Sequence, residues 1–211
     1  MINEYNTFRG YAEAFLTEKK SRFISAGAEV QTEDEAMDFL DGQKSLYKEA
    51  SHYIFAFRLF DKERCSDGRE PSGTAGAPVL GILRAESMMN AIIVVTRYFG
   101  GILLGTGGLT HTYGHCAKML IDPARIIKKV RCRKVIITTD YVFLGKIQYL
   151  IAQSDMLLTQ SDYTGQVGLE LILREETLKQ FINTLKALTN GRSKTKISED
   201  FFYEYPFSQR A

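Results

Sequence analysis

Residues 91–109 read AIIVVTRYFGGILLGTGGL, and this stretch determines the architecture expected for the first half of the chain. Its first nine residues are rich in β-branched side chains, which is typical of a strand buried on both faces of a sheet. The run ends abruptly at Gly100-Gly101, and a helix is predicted from about Leu109, where apolar residues recur at helical spacing as far as Leu120. A buried strand, a glycine turn and a helix in this order predict a layered α+β domain.

The residues before this stretch predict a hairpin, two helices and one more strand. Thr32 and Glu35 have the spacing of a capping box, in which Thr32 accepts from first-turn amides and Glu35 reaches back. We expect the strand over 51–60 and the strand over 91–99 to run parallel and to end at one sheet edge, because a helix joins them. The predicted elements are a hairpin over 9–30 with its turn at EKKS, a helix from the capping box to about Ala50, a strand over 51–60, and a helix from Pro78 to Met89.

The last third of the chain has its own order of elements. Asp122-Pro123 should end the preceding helix, and the basic segment KKVRCRK (128–134) is interpreted as a linker or the entry to a strand. The residues that follow alternate between strand and helix patterns in the order βαββαβ, which is that of the ferredoxin-like split βαβ fold. We therefore predict two domains, covering residues 1–130 and 131–211.

Composition excludes several classes of protein. The 211 residues carry 27 basic and 25 acidic side chains, a balance that does not favour non-specific binding to nucleic acid. The three cysteines are widely spaced without a C-x-x-C pair, which favours a reducing compartment over a disulfide framework or a zinc ribbon. Because no secretory signal and no membrane span are recognised, a cytoplasmic location without membrane association is expected.

Two glycine-rich segments are the candidate working surface. EPSGTAGAP (70–78) ends a region from Asp61 that lacks a hydrophobic period and is longer than most structural connections. Its amides lead into a helix start and could hold an anion, although a tight, glycine-dependent connection is an equal alternative. The second segment, RYFGGILLGTGGL (97–109), is neither a Walker loop nor a complete G-x-G-x-x-G motif, because Thr110 occupies the third glycine position. Arg97 could pair with a phosphate or carboxylate, or form a structural ion pair.

The side chains do not assemble a recognisable catalytic or metal centre. His111 and His115 have the i, i+4 spacing of a metal pair, but no third ligand is evident, and His52 is a lone strand histidine. Asp67 and Glu70 lie in the long loop without a spacing that links a nucleophile to a base. No catalytic residue, metal or cofactor is therefore assigned.

The motifs HYIFAF (52–57), SDGREPSGTAGAPVL (66–80) and VVTRYFGGILLGTGGLTHTYG (94–114) together resemble the IMPACT/YigZ family in order and spacing. The resemblance implies a first domain with the βαβ fold of a ribosomal small-subunit protein and GHMP kinases. It also implies a second domain similar to the last domain of elongation factor G. Functionally it implies a regulator of translation that acts by binding, since eukaryotic relatives compete for the activator of a kinase.

The chain departs from the family pattern in both glycine segments. The usual S-D-D-G-E run becomes Ser66-Asp67-Gly68-Arg69-Glu70, which loses one carboxylate and gains a cation, while Leu103 and His111 stand where Lys and Arg are common. The loss of two basic groups argues against tight binding of nucleic acid. Proline-dipeptidase activity is not expected, because the clustered Asp, Glu and His ligands of a two-metal peptidase cannot be identified.

These observations lead to one functional hypothesis and one alternative. We expect a non-enzymatic, translation-linked regulatory protein that binds RNA, the ribosome, or a translation GTPase or other partner protein through the glycine segments. The alternative is an enzyme that acts on a phosphate ester or nucleotide, so that its ligand is a phosphate-bearing small molecule. Both require the segments Ser72–Gly76 and Gly100–Gly108 to lie side by side. The candidate site residues are His52, Asp67, Glu70, Ser72, Gly73, Thr74, Gly76, Arg97, Gly100, Gly101, Gly105, Gly107, Gly108 and His111.

Overall fold

The computed structural model describes residues 2–122 and 125–206 and has a mixed α/β architecture. The chain divides into two compact units. The first unit comprises Tyr5–Ile127, and the second comprises the chain from Lys128 together with the residues up to Glu4. Among the described residues, no helix combines the length and the apolar character that crossing a bilayer requires.

The first unit is built around a five-stranded antiparallel sheet. The elements of this half are β1 (Glu4–Phe8), β2 (Ala12–Glu18), β3 (Ser21–Glu29), α1 (Glu33–Leu46), β4 (His52–Arg58), β5 (Glu63–Ser66), α2 (Gly76–Ala85), β6 (Ala91–Tyr98) and α3 (Gly105–Lys118). The strands of the sheet lie in the order β2-β3-β6-β4-β5. The predicted hairpin is present, and its turn places Lys19 and Lys20 at φ of 44° and 65°.

Strand β6 is the centre of this sheet and is buried on both faces, as its sequence predicted. Ile93 and Val95 belong to the core beneath α2 and α3, whereas Ile92 and Val94 belong to the core beneath α1. A strand covered by helices on both sides needs apolar side chains at every position, which explains the unbroken run.

Helix α1 begins as the capping box predicted. The Thr32 hydroxyl accepts a hydrogen bond from the Glu35 amide at 3.2 Å. The Glu35 carboxylate accepts in turn from the amide of Gln31 at 2.6 Å, one residue before the expected partner. The helix ends at Leu46, four residues earlier than expected.

The predicted parallel arrangement of the two central strands is wrong. Strand β4 is antiparallel to β6, with His52 opposite Arg97 and Arg58 opposite Ala91. The region from Asp61 is also not wholly irregular, because β5 returns antiparallel to β4 and places Ser66 opposite Phe55. This short edge strand carries the chain back to the His52 end of the sheet, where β6 ends.

Two helices of the first unit begin earlier than the sequence suggested. Helix α2 starts at Gly76 instead of Pro78, and α3 starts at Gly105 instead of Leu109. The apolar periodicity marks only the buried part of each helix, and the glycines of the first turn carry no such signal.

The second unit has the predicted βαββαβ order. The elements are β7 (Ile126–Thr139), α4 (Tyr141–Ala152), β8 (Met156–Asp162), β9 (Val167–Arg174), α5 (Glu175–Leu188) and β10 (Lys194–Tyr205). The strands pair as β8-β9-β7-β10, and these three pairs are antiparallel. Helices α4 and α5 cover one face and enclose a core that includes Val135, Leu171, Ile147 and Phe181. The KKVRCRK segment lies inside β7 and is not a linker.

Candidate functional site

A buried ionic cluster lies at the end of the first sheet where β6 stops. The side chains of Glu70 and Arg97 are each 4% exposed and form an ion pair. Tyr113 of α3 donates its hydroxyl to Glu70 Oε1 at 2.8 Å, and Arg97 Nη2 donates to Ser21 Oγ at 3.2 Å. Burial, followed by the bond to Glu70, raises the pKa of Tyr113 far above its ordinary value. We call Glu70, Arg97, Tyr113, Ser21 and His52 the Glu70 cluster.

His52 joins this cluster from the neighbouring strand. Its Nδ1 atom lies 3.1 Å from the carbonyl oxygen of Gly68, which can only accept, so Nδ1 is the donor. The other ring nitrogen, Nε2, lies 3.8 Å from Glu70 Oε1. Gly68 has φ of 54°, and a Cβ there would lie 2.2 Å from the carbonyl oxygen of Tyr53. Only glycine can hold the loop this close to β4.

The amides of the first glycine segment are already occupied by a carboxylate of the chain itself. Asp67 accepts from Gly73 at 2.8 Å through Oδ2, and from Ala75 at 3.0 Å and Gly76 at 2.8 Å through Oδ1. Burial alone would raise the pKa of Asp67, but the three amides outweigh it and lower that pKa. Asp67 thus serves as the anion at the start of α2, and these amides are not free for a ligand. Thr74 also bonds locally, to the carbonyl oxygen of Pro71 at 2.6 Å.

The second glycine segment fits tightly against the β2–β3 hairpin and then starts α3. A Cβ on Gly100 would lie 2.1 Å from the backbone of Lys20, and the Gly100 amide donates to Ser21 Oγ at 3.2 Å. Gly101 and Gly105 have φ of 84° and 74°, which favours glycine. The N-cap residue of α3, Leu104, has no side chain that could cap the helix, and the first turn contains no acidic residue.

A cavity of about 380 Å³ lies between the two segments. Its polar wall comes from the Glu70 cluster, and its apolar wall comes from the second segment and α3. Phe99 and Leu103 are 46% and 81% exposed at its rim. The lining residues are His52, Glu70, Pro71, Arg97, Phe99, Leu103, Leu104, Gly105, Thr106 and Leu109.

The structure sorts the candidate residues into three groups. His52, Glu70, Arg97 and Gly105 line the cavity. Asp67, Gly73, Thr74, Gly76, Gly100 and Gly101 shape the segments around it. Ser72, Gly107, Gly108 and His111 are outside the lining, and the His111 ring stacks on the ring of His115 with centroids 6.4 Å apart.

Sequence reasoning missed several residues of the site. Tyr113 falls within the helical apolar pattern from Leu109 to Leu120, which signals burial and no polar role, and Ser21 is 76 residues from its partner Arg97. At the apolar rim, the sequence marks Leu103 only as a replacement of a Lys that is common in the family, and it does not single out Phe99. Within residues 2–122 and 125–206, no group of three or more His, Cys, Asp or Glu side chains is placed to hold a metal ion.

Comparisons with known proteins cover both halves of the chain. Residues 19–121 match the model of the Impact N-terminal domain, and residues 137–192 match a domain of unknown function, DUF1949. The IMPACT family member YvyE of Bacillus subtilis is 33% identical over 207 residues, covering 97% of this chain and 95% of that protein. The IMPACT family member YigZ of Escherichia coli is 32% identical, covering 82% of this chain and 87% of that protein.

More distant similarity is confined to part of the chain or to structure. Protein IMPACT of Danio rerio is 33% identical over 78 residues, which is 34% of this chain and 24% of that protein. A solved structure described as the crystal structure of a hypothetical protein superimposes with a TM-score of 0.60 at 27% identity. It covers 92% of this chain and 97% of the other.

Proposed function

Because the chain belongs to the IMPACT family, we propose that it is a non-enzymatic, cytoplasmic regulator linked to translation that binds a macromolecular partner at the cavity between its glycine segments. The partner is the ribosome, RNA, or a translation GTPase or other protein, and the chemistry of the rim favours a protein. Within this proposal, residues 1–130 have the fold of a ribosomal small-subunit protein and GHMP kinases. Residues 131–211 have the fold of the last domain of elongation factor G.

The exposed apolar rim carries the proposal. Phe99, Ile102 and Leu103 are 46%, 42% and 81% exposed and lie within a span of five residues. Clustered apolar side chains beside a preformed cavity are typical of surfaces that bind other proteins. RNA recognition would instead favour Lys and Arg at this rim.

The Glu70 cluster supports binding in preference to catalysis. Glu70 is held by Arg97 and Tyr113, so its charge is neutralised and its position is fixed. A general base would need a carboxylate that is free to take a proton, whereas a fixed ion pair suits the floor of a binding site. The enzyme alternative also loses one of its two anion-binding loops, because Asp67 occupies the amides of Gly73 and Gly76.

Sedimentation through a sucrose gradient tests the proposal. Tagged protein is added to lysate of its source organism at low and moderate salt, and its position is compared with ribosomal and other heavy fractions. We expect the wild type in heavy fractions and Leu103→Asp at the top of the gradient. Leu46→Asp is the matched control, because Leu46 is 63% exposed and does not line the cavity.

Two results would contradict the proposal. One is wild-type protein that stays at the top of the gradient under both conditions. The other is an equal loss of sedimentation for Leu103→Asp and Leu46→Asp, which would mean that the rim has no special role.

The enzyme alternative is tested by measuring thermal stability with a panel of nucleotides at millimolar concentration. A ligand at 100-fold over its Kd stabilises a protein by about 2.7 kcal/mol, so the absence of any shift would leave this alternative without support.

A further inference from the structure

The polar floor of the cavity presents hydrogen-bond acceptors to a ligand. Glu70, whose side chain is 4% exposed, receives its hydrogen bonds from Arg97 and Tyr113 on one oxygen, Oε1. Its second oxygen, Oε2, receives none within the described part of the chain and keeps some accessible surface, which opens into the cavity that Glu70 lines. A carboxylate has room for about four hydrogen bonds, so Oε2 can accept from a ligand.

His52 adds a second acceptor beside this carboxylate. Its Nδ1 atom donates to Gly68, so Nε2 carries the lone pair of the neutral ring. The 3.8 Å between Nε2 and Glu70 Oε1 is too long for a hydrogen bond. The His52 side chain is 20% exposed and lines the cavity, where a donor from a ligand would satisfy Nε2.

The donors of the same floor are engaged within the protein. Tyr113 donates to Glu70, while Arg97 donates through Nη1 to Glu70 and through Nη2 to Ser21. The Arg97 side chain is 4% exposed and its Nε atom is buried, so the guanidinium offers little to a ligand. The floor therefore favours a ligand group that donates a hydrogen bond and does not need to receive one.

The walls above the floor are apolar and set the size of the group. Pro71, Phe99, Leu103, Leu104 and Leu109 surround a volume of about 380 Å³. Sites for small organic ligands typically enclose about 300–1,000 Å³. An aromatic side chain suits such a space, because it buries about 150–250 Å² of surface on its own.

One side chain of proteins combines these properties. Lysine and arginine donate without accepting, but their charge would lie beside Arg97, which already neutralises Glu70. Tyrosine carries a hydroxyl oxygen that also accepts and would need a donor of its own. The indole of tryptophan is aromatic and neutral, and it donates through a single N–H without accepting.

We propose that the cavity binds a tryptophan side chain of a partner protein. The indole N–H donates to His52 Nε2 beside the Glu70 carboxylate, and the ring lies among Phe99, Leu103 and Leu104. This chain contains no tryptophan, so a second copy of it cannot supply the group. Tryptophan is also enriched among the residues that anchor protein interfaces. The inference rests on the proposed function, because it names the side chain through which the partner binds.

Titrations of ¹⁵N-labelled full-length protein test the ligand group. The probes are N-acetyl-tryptophanamide, its N1-methyl derivative and N-acetyl-lysinamide, which separate the indole N–H, the aromatic ring and a cationic donor. We expect N-acetyl-tryptophanamide to shift the amide signals of Leu104 and Gly105 and to saturate at low millimolar concentration. The other two probes should each bind at least fivefold more weakly. Equal binding by either of them, or no saturation with N-acetyl-tryptophanamide, would overturn the inference.

The variant His52→Phe tests which atom accepts the N–H. It keeps an aromatic ring at this position and removes Nε2, so N-acetyl-tryptophanamide should bind it at least fivefold more weakly. The N1-methyl derivative should bind the variant and the wild type equally, because it makes no hydrogen bond that the variant can lose. His111→Phe, outside the lining, is the matched control and should bind both probes as the wild type does.

Two outcomes separate a hydrogen bond from a distorted cavity. If His52→Phe weakens both indole probes to the same extent, His52 only shapes the cavity and its role as acceptor is wrong. If His52→Phe and His111→Phe bind N-acetyl-tryptophanamide equally, the indole does not contact His52 and the inference is overturned.

The result is independent of the sedimentation experiment. If Leu103→Asp abolishes sedimentation but N-acetyl-tryptophanamide does not bind, the partner uses the rim and the tryptophan is wrong. If N-acetyl-tryptophanamide binds and the wild type does not sediment, the ligand group is correct and the link to translation is wrong.

Discussion

Asp67 is the most informative position for a stability experiment, because one carboxylate holds three amides at the start of α2. It accepts from Gly73, Ala75 and Gly76 at 2.8 to 3.0 Å. Asp67→Ala removes all three acceptor contacts, and Asp67→Asn keeps the shape with a single acceptor oxygen. Asp38, an exposed aspartate on α1, provides the control Asp38→Ala.

The expected magnitude follows from the capping role of Asp67. Replacing a helix cap by alanine costs about 0.5–2 kcal/mol, and a hydrogen bond to a charged group contributes about 1.5–3 kcal/mol. Because Asp67 is partly accessible, water replaces some of the lost bonds. We therefore expect Asp67→Ala to lower the free energy of unfolding by about 2 kcal/mol, Asp67→Asn by about 1 kcal/mol and Asp38→Ala by less than about 0.5 kcal/mol.

The pH dependence has a defined sign. Burial alone would raise the pKa of Asp67, but the amides of Gly73, Gly76 and Ala75 lower it in the folded state. A lowered folded pKa stabilises the protein fully above the unfolded value, about 3.9, and this contribution is lost as the pH falls through the folded pKa. The difference between wild type and Asp67→Asn should therefore be largest near neutral pH and should shrink below pH about 4.

Urea unfolding followed by far-ultraviolet circular dichroism at neutral and acidic pH measures both effects. Amide hydrogen exchange at Gly73 and Gly76 reports the local opening directly and does not depend on the two units unfolding together. The reasoning is refuted if Asp67→Ala and Asp38→Ala are equally stable at neutral pH. It is also refuted if the loss in Asp67→Asn does not change with pH.

Three further substitutions test the packing around the cavity. Gly100→Ala should lower the free energy of unfolding, measured in urea, by about 3 kcal/mol, because the new Cβ would lie 2.1 Å from the backbone of Lys20. A decrease below about 1 kcal/mol would mean that the β2–β3 hairpin moves to accommodate the Cβ at little cost. Gly107→Ala should stabilise by about 0.5–1 kcal/mol, because its Cβ enters open space on a helix, and any destabilisation would contradict this. Tyr113→Phe should lower the free energy of unfolding by about 1–3 kcal/mol, because Glu70 loses a hydrogen-bond donor. An unchanged thermal unfolding temperature would mean that this hydrogen bond makes no net contribution to stability.

Local patterns in the sequence predicted most of the elements. The run over 91–99 was identified as a strand buried on both faces, and β6 has cores on each side. The Thr32 cap and the βαββαβ order of the last third were also identified from spacing alone. These features depend on contacts between residues that are close in sequence or on a simple alternation of burial, so each leaves its own local signal.

The candidate site was predictable in its residues but less so in their roles. Glu70 and Arg97 are the first residues of the two glycine segments, and both line the cavity together with His52, which the sequence offered only as a lone strand histidine. Asp67 is a candidate binding residue by sequence, yet it is itself the anion that the amides of the loop hold. A list of residue types cannot distinguish a chain that binds a ligand carboxylate from one that supplies its own.

The sequence by itself determined which segments are buried, where a helix starts with a cap, and that both glycine segments lie in the first domain. Only the tertiary structure decided the direction of β4 against β6 and the return of the chain through β5. Strand direction depends on pairing between residues that are distant in sequence, and β5 is a short, charged edge strand that leaves no apolar alternation. The cavity exists because that hairpin brings Glu70 back to Arg97, 27 residues away, at the end of the sheet where α3 begins.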